Sequence, residues 1–180
     1  PTPTPVPTAT PTPPRENVAL ASKGAVASAS SEYPFFPPSA ANNGDRKGLN
    51  WATGGIWNDL SPNAYPDFLQ INFAGTKTID EIDVFAVQDN YQNPLEPTLA
   101  TTFTQYGVTA FDVQYWNGSA WVTVSGGSVT GNNKVWTRFT FPALNTSSIR
   151  VQINNGLQSY SRLVEVEAYL GERDAASHAR

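Results

Sequence analysis

The sequence predicts an all-β domain, a sandwich or jelly roll, and three observations carry that reading. Short runs alternate apolar and polar residues, the pattern of strands with one buried face. Glycine, proline and asparagine punctuate them at close intervals. No stretch sustains a helical period.

The elements follow in order. Pro1 to Pro14 reads PTPTPVPTATPTPP and holds seven of the 15 prolines, so it favours polyproline II and builds no core. Extended, it would reach about 43 Å at ~3.1 Å per residue. Residues 1–16 are therefore expected to be a Pro/Thr linker that tethers the domain to others, and its threonines are candidate O-glycosylation sites. The globular part is expected over 17–171, followed by a polar tail over 172–180 that holds the single His.

Within the globular part, Phe68 to Phe73 sets Leu69, Ile71 and Phe73 on one face, and Ile79 to Val87 reads as the next strand. Phe111 to Tyr115 and Ala120 to Val124 flank Asn117-Gly118, a strong short-range hairpin signal. Val135 to Phe141, Ile149 to Ile153 and Leu163 to Leu170 complete the strands. Two connections are long, Trp51 to Pro66 and Gln88 to about Tyr106. Loops of that length in a compact β domain are usually functional or disordered. Their aromatic content, with Trp57, Tyr65, Tyr91, Phe103 and Tyr106, favours function.

Composition narrows the function classes. The net charge of -4 argues against nucleic acid, which asks for a basic face. With no cysteine there is neither a disulfide framework nor a thiol nucleophile, and one His in the tail leaves no Ser-His-Asp triad. Glu165 and Glu167 share a strand face, and that placement suits ion binding or cross-strand pairing better than flanking a glycosidic bond. The chain is read as no enzyme.

Five stretches resemble the discoidin, or coagulation factor V/VIII C-type, family, which includes the carbohydrate-binding modules of family 32. Asn17 to Ser22 with Ala27 to Ser31 is similar to its first segment. Ala41 to Asp45 with Trp51 is similar to its A-x-D-G-D…W signature. Phe68 to Phe73, then Thr78 to Ile82, resembles its W-x-Q-I-D-L…I-x-x-I pair. Ile149-Arg150-Val151 resembles its R-Y-V-R-V strand, and Val164 to Glu167 its closing E-I-E strand. The resemblance covers about 17–170 and implies an eight-stranded antiparallel jelly-roll sandwich with ligand-binding loops at one end. Position 43 is Asn where the family usually has Asp, and the stretch 46–50 lacks the usual Thr before Trp51.

The resemblance also implies a structural calcium ion. By position its ligands would be main-chain oxygens of Ala40, Asp45, Gly48 and Val164, with the side chains of Asn43 and Glu165. Calcium takes roughly six to eight oxygens, and fewer charges lower its affinity. The alternative is a glycine turn in which Asn and Asp cap their own backbone.

A sugar offers an apolar face and a rim of hydroxyls. Aromatic rings meet the first, and amide, carboxylate and guanidinium groups the second. The expected ligand residues are Tyr33 and Phe36 in the first loop, Trp57, Asn58 and Asp59 in the second, Asn90 and Tyr91 in the third, and Tyr160 and Arg162 before the last strand. The expected function is a non-catalytic module of a larger secreted or cell-surface protein, binding a glycan or polysaccharide. Two alternatives stand beside it. One is a lipid- or protein-binding domain using the stretch from Tyr33 to Pro38, against which the acidic balance and the missing Lys/Arg cluster argue. The other is a structural, adhesive or fibre-forming β domain.

Overall fold

The computed structural model describes residues 15–171. The Pro/Thr tract and the polar tail expected at the two ends lie outside the described residues. Arg15 and Glu16, read as the end of the linker, belong to the domain instead. The Arg15 guanidinium donates to the Leu170 carbonyl at 2.9 Å, and the Leu170 N–H donates to the Glu16 carbonyl at 3.1 Å. Polar composition hid these contacts, because both are made to the backbone of the last strand, one by the Arg15 side chain and one by the Glu16 carbonyl.

Among the described residues eight strands form the fold: β1 (Val26–Ala29), β2 (Trp57–Asn58), β3 (Asp67–Phe85), β4 (Val108–Trp116), β5 (Trp121–Val129), β6 (Trp136–Gly156), β7 (Arg162–Leu163) and β8 (Glu165–Leu170). All pairings are antiparallel. The helical residues described are four short 3-10 turns.

β3 and β6 each serve two layers. The first part of β3 pairs with β1, and its second part pairs with β8. The C-terminal part of β6 pairs with β4, which pairs with β5. The layers are thus β1-β3-β6-β4-β5 on one side and β8-β3-β6 on the other, a jelly-roll sandwich. The run from Phe68 to Phe73 and the run expected from Ile79 to Val87, which ends at Phe85, are therefore one strand that turns a corner. Pairing with β6 slips between Asn72 and Lys77, and Gly75 at φ +82° takes the bend. Strands that change layer turn by such bends and bulges.

Alternation decides what is buried. Leu69, Ile71, Val113, Val151 and Ile153 from one layer meet Ile79, Ile82, Val84, Val166 and Ala168 from the other. The Asn117-Gly118 hairpin forms as the sequence predicts, with the Asn117 side-chain oxygen accepting the Ser119 and Ala120 N–H groups at 2.9 Å. A second, smaller cluster of Ile56, Phe85, Val87 and Val164 lies at the loop end, with Phe36, Trp51, Tyr91 and Tyr106 packed against it. It gives the long loops a core of their own.

Candidate ligand-binding site

Two short strands position the site. β2 pairs with β7 so that Asn58 stands opposite Arg162. Asp59 extends this pair: its N–H donates to the Ser161 carbonyl at 3.0 Å, and its carboxylate accepts the Ser161 N–H at 2.7 Å and the Ser61 N–H at 2.8 Å. Burial pushes the Asp59 carboxyl above its ordinary pKa, and those two N–H donors pull it back. Asp67, also buried, accepts the hydroxyls of Ser161 at 2.8 Å and Ser30 at 3.0 Å. The first loop is stitched to this floor where the Tyr33 N–H donates to the Asn58 carbonyl at 2.8 Å.

On this frame six side chains close a ring. Tyr160 meets Tyr33 edge-on at 6.1 Å, Tyr33 meets Phe36 at 6.0 Å, and Phe36 meets Trp51 at 6.3 Å between ring centres. Trp51 meets Tyr106 at 5.5 Å. The Arg162 guanidinium then lies 5.3 Å from the Tyr106 ring centre and 5.0 Å from that of Tyr160. Five of these six, all but Tyr106, line a cleft of about 170 Å³ together with Asn58.

Arg162 is the polar centre of the cleft, with only 6% of its surface exposed. One terminal nitrogen donates to the Leu157 carbonyl at 3.2 Å and the other to the Gln158 carbonyl at 3.5 Å. Each terminal nitrogen carries two N–H groups, so one of each remains for a ligand. Burial lowers its pKa, against the opposing pull of Asp59 and three tyrosines, and a guanidinium starts high enough to stay charged.

The structure brings together Tyr33, Phe36, Asn58, Tyr160 and Arg162 from the expected ligand residues. Tyr91 sits one ring away, 5.1 Å from Trp51. Asn90 is exposed and caps its own loop, donating to the Asn93 carbonyl. Two expectations are corrected. Trp57 has 0% exposure and belongs to the main core, its indole N–H donating to the Ser31 carbonyl at 2.9 Å. Asp59, equally buried, spends its carboxylate on backbone donors and braces the floor. Sequence reasoning missed Trp51 as a wall of the cleft. Its signal is present in the sequence as the tryptophan of the loop signature.

The expected ion loop is tied to the last strand directly. The Glu165 carboxylate accepts the Asn43 N–H at 3.1 Å and the Gly44 N–H at 3.0 Å. Asn43 caps the Asp45 N–H at 2.7 Å, and Asp45 caps the N–H groups of Lys47 and Leu49 at 3.0 and 2.6 Å. Gly48 packs on Val164, where an added Cβ would stand 3.2 Å from a Val164 methyl. Ala40 is buried in the 3-10 turn Pro38–Asn42 that leads into this loop. A further tie, not expected from the sequence, is Arg46, which grips Glu167 with two nitrogens at 2.9 and 2.8 Å.

The side-chain oxygens of this loop accept backbone N–H groups, and Glu165 is the buried carboxylate among them. Burial, with Glu167 and Asp45 nearby, pushes the Glu165 pKa up to about 8, so the ionised form lacks a compensating charge. Among the described residues no three His, Cys, Asp or Glu side chains group to hold a metal. An ion would rest on Glu165 and on carbonyl oxygens, which are calcium-type donors.

Comparison with known proteins agrees with the fold. Residues 26–166 match the family model described as F5/8 type C domain. The family 32 carbohydrate-binding module from C. perfringens NanJ, solved with galactose, shares 18% identity at TM-score 0.61, over 85% of this chain and 97% of that one. A fucose binding module from Streptococcus pneumoniae shares 19% identity at TM-score 0.65, over 90% and 100%. Chitosan-binding module 1 from a Paenibacillus sp. IK-5 chitosanase/glucanase shares 20% identity at TM-score 0.62, over 86% and 98%. No curated protein matches the sequence. At these identities the likeness to solved structures establishes the fold.

Proposed function

The chain belongs to the F5/8 type C domain family, and from that premise we propose that it is a non-catalytic carbohydrate-binding module taking the terminal unit of a glycan in the Arg162 cleft. The observation that carries this is the closed ring of five aromatic side chains and one buried arginine. Rings offer apolar faces to a pyranose, while Arg162 and Asn58 offer fixed hydrogen-bonding groups to its hydroxyls. Solved neighbours bear ligands of this class, galactose in one and Lewis B antigen in another.

Affinity for one unit should be weak. At about -0.3 kcal/mol per heavy atom a monosaccharide gains only ~-4 kcal/mol, which is roughly millimolar. Such a module becomes useful when tethered or repeated. The Pro/Thr tract supports a tether to other domains of a secreted or cell-surface protein. In the same reading a calcium ion, held by Glu165, Asn43 and main-chain oxygens of Ala40, Asp45, Gly48 and Val164, stiffens the loop behind the cleft.

A glycan array with and without calcium tests the reading, using the wild-type chain and Arg162→Ala. Binding to a defined set of glycans, lost in Arg162→Ala while the fold is retained, is the expected outcome. A chain that binds nothing on the array, or whose binding ignores Arg162, would end it.

A further inference from the structure

Tyr33, Pro34, Phe35 and Phe36 form a β-turn, closed where the Phe36 N–H donates to the Tyr33 carbonyl at 2.9 Å. Pro34 takes the second position, which its fixed φ suits. Phe35 takes the third at φ +74°, a left-handed backbone that in this type of turn belongs to glycine. The residue is 86% exposed, the most of any large apolar residue described. Folding explains neither feature: the backbone is strained and the ring buries almost nothing.

The surroundings nevertheless hold the turn in place. The Asn58 N–H donates to the Phe36 carbonyl at 3.4 Å. Gly54 presses against the turn so closely that a Cβ there would stand 2.3 Å from the Phe35 carbonyl oxygen. The residues adjoining Pro34 and Phe35, Tyr33 and Phe36, both line the cleft. Strain maintained by its surroundings at the lip of a cleft is the pattern of a functional position.

We propose that Phe35 is a ligand-contact residue, the apolar platform for the second unit of a glycan chain whose terminal unit occupies the cleft. The proposal rests on the carbohydrate reading of that cleft. Tyr33 and Phe36, which flank Pro34 and Phe35, wall the cleft that takes the first unit, so a chain continuing past that wall meets Phe35. A pyranose presents a face of C–H groups, and an exposed aromatic ring stacks on it. The tip carries Glu32 and no Lys or Arg over residues 31–38, which disfavours an anionic lipid surface as the partner. The ligand class is then an oligosaccharide of at least two units, read from its end.

Phe35→Gly is the informative variant, because glycine suits φ +74° and the melting temperature should hold or rise. Calorimetric titration would compare GalNAc with GalNAc-β-1,3-galactose, and glucosamine with chitotriose, the oligosaccharides being those of solved neighbours. The wild-type chain should bind the longer member of a pair roughly tenfold more tightly, and Phe35→Gly should reduce that advantage to about threefold or less with the monosaccharide Kd unchanged. An advantage that survives in Phe35→Gly overturns the inference and leaves the cleft reading intact. A wild-type chain that binds no glycan at all, here or on the array, overturns both. Loss of binding to phosphatidylserine-containing vesicles in Phe35→Gly, with the sugar advantage unchanged, would assign the ring to a membrane and overturn the proposal.

Discussion

The Glu165 carboxylate on the last strand accepts the Gly44 N–H at 3.0 Å, across 121 residues of sequence. With the Asn43 N–H on its other oxygen, one buried side chain closes the first loop on the last strand. The same burial makes the tie sensitive to pH. Glu165 shifts from an ordinary 4.5 up to about 8 on folding. Between those values the folded chain holds a proton that the unfolded chain has released, so stability falls as pH rises. The contribution is complete below the unfolded value and is lost as pH passes through about 8. Asp83, raised by burial from 3.8 to about 6, acts in the same direction at lower pH. Thermal melts in chelator should show Tm declining from weakly acidic to weakly alkaline pH, and Glu165→Gln should flatten the upper part of that decline. A Tm that climbs over the range contradicts the account.

Calcium should act against that trend. An ion bound by Glu165 needs the ionised carboxylate, so its stabilisation should grow as pH rises toward 8 and beyond. At a concentration of 100 times Kd the gain would be about 2.7 kcal/mol. Paired melts in calcium and in chelator at acidic and alkaline pH measure it. Equal melts at every pH would remove the ion from the proposal.

The two tryptophans of the second loop should behave differently. Trp57 has 0% exposure within the main core, and Trp57→Ala should cost roughly 3–5 kcal/mol. Trp51 is half-buried, a wall of the cleft resting on the small loop core. Trp51→Ala should lose most glycan binding at a smaller cost in Tm. Denaturant unfolding and calorimetric titration of the two variants separate the roles. Equal losses of stability would place Trp51 in the core.

These two residues also show where the sequence is legible. Strands β4 and β5 were readable because alternation and Asn117-Gly118 are local signals. The place of Tyr160 and Arg162 beside the cleft was readable because they adjoin the last strand, whose motif fixes their position. The burial of Trp57 was not, since it depends on β2 meeting β7 over a two-residue pairing between distant segments. Likewise the corner at Gly75 joins what read as two strands, because only the partner strand shows that pairing resumes beyond it. Arg46 carries no pairing signal in its local sequence. Its grip on Glu167 appears only when the first loop reaches the last strand.

Gly54 and Gly75 provide a matched pair for testing how the cleft is held. Both have positive φ, +92° and +82°, so alanine incurs left-handed strain at either site, on the order of 1 kcal/mol. Their surroundings differ. A Cβ at Gly75 would meet nothing within 4 Å, whereas one at Gly54 would stand 2.3 Å from the Phe35 carbonyl oxygen, a backbone atom that moves only with its loop. Gly54→Ala must therefore push the loop of Trp51 away from the loop of Tyr33 and Phe36, opening the Phe36–Trp51 contact of 6.3 Å. Gly75→Ala should lower Tm modestly and keep glycan binding. Gly54→Ala should lower Tm further, by roughly 1–3 kcal/mol of stability in all, and lose binding by about tenfold or more. The measurement is a melt and a glycan titration on each variant. If Gly54→Ala bound as tightly as Gly75→Ala, contact between the two loops would not be what shapes the cleft.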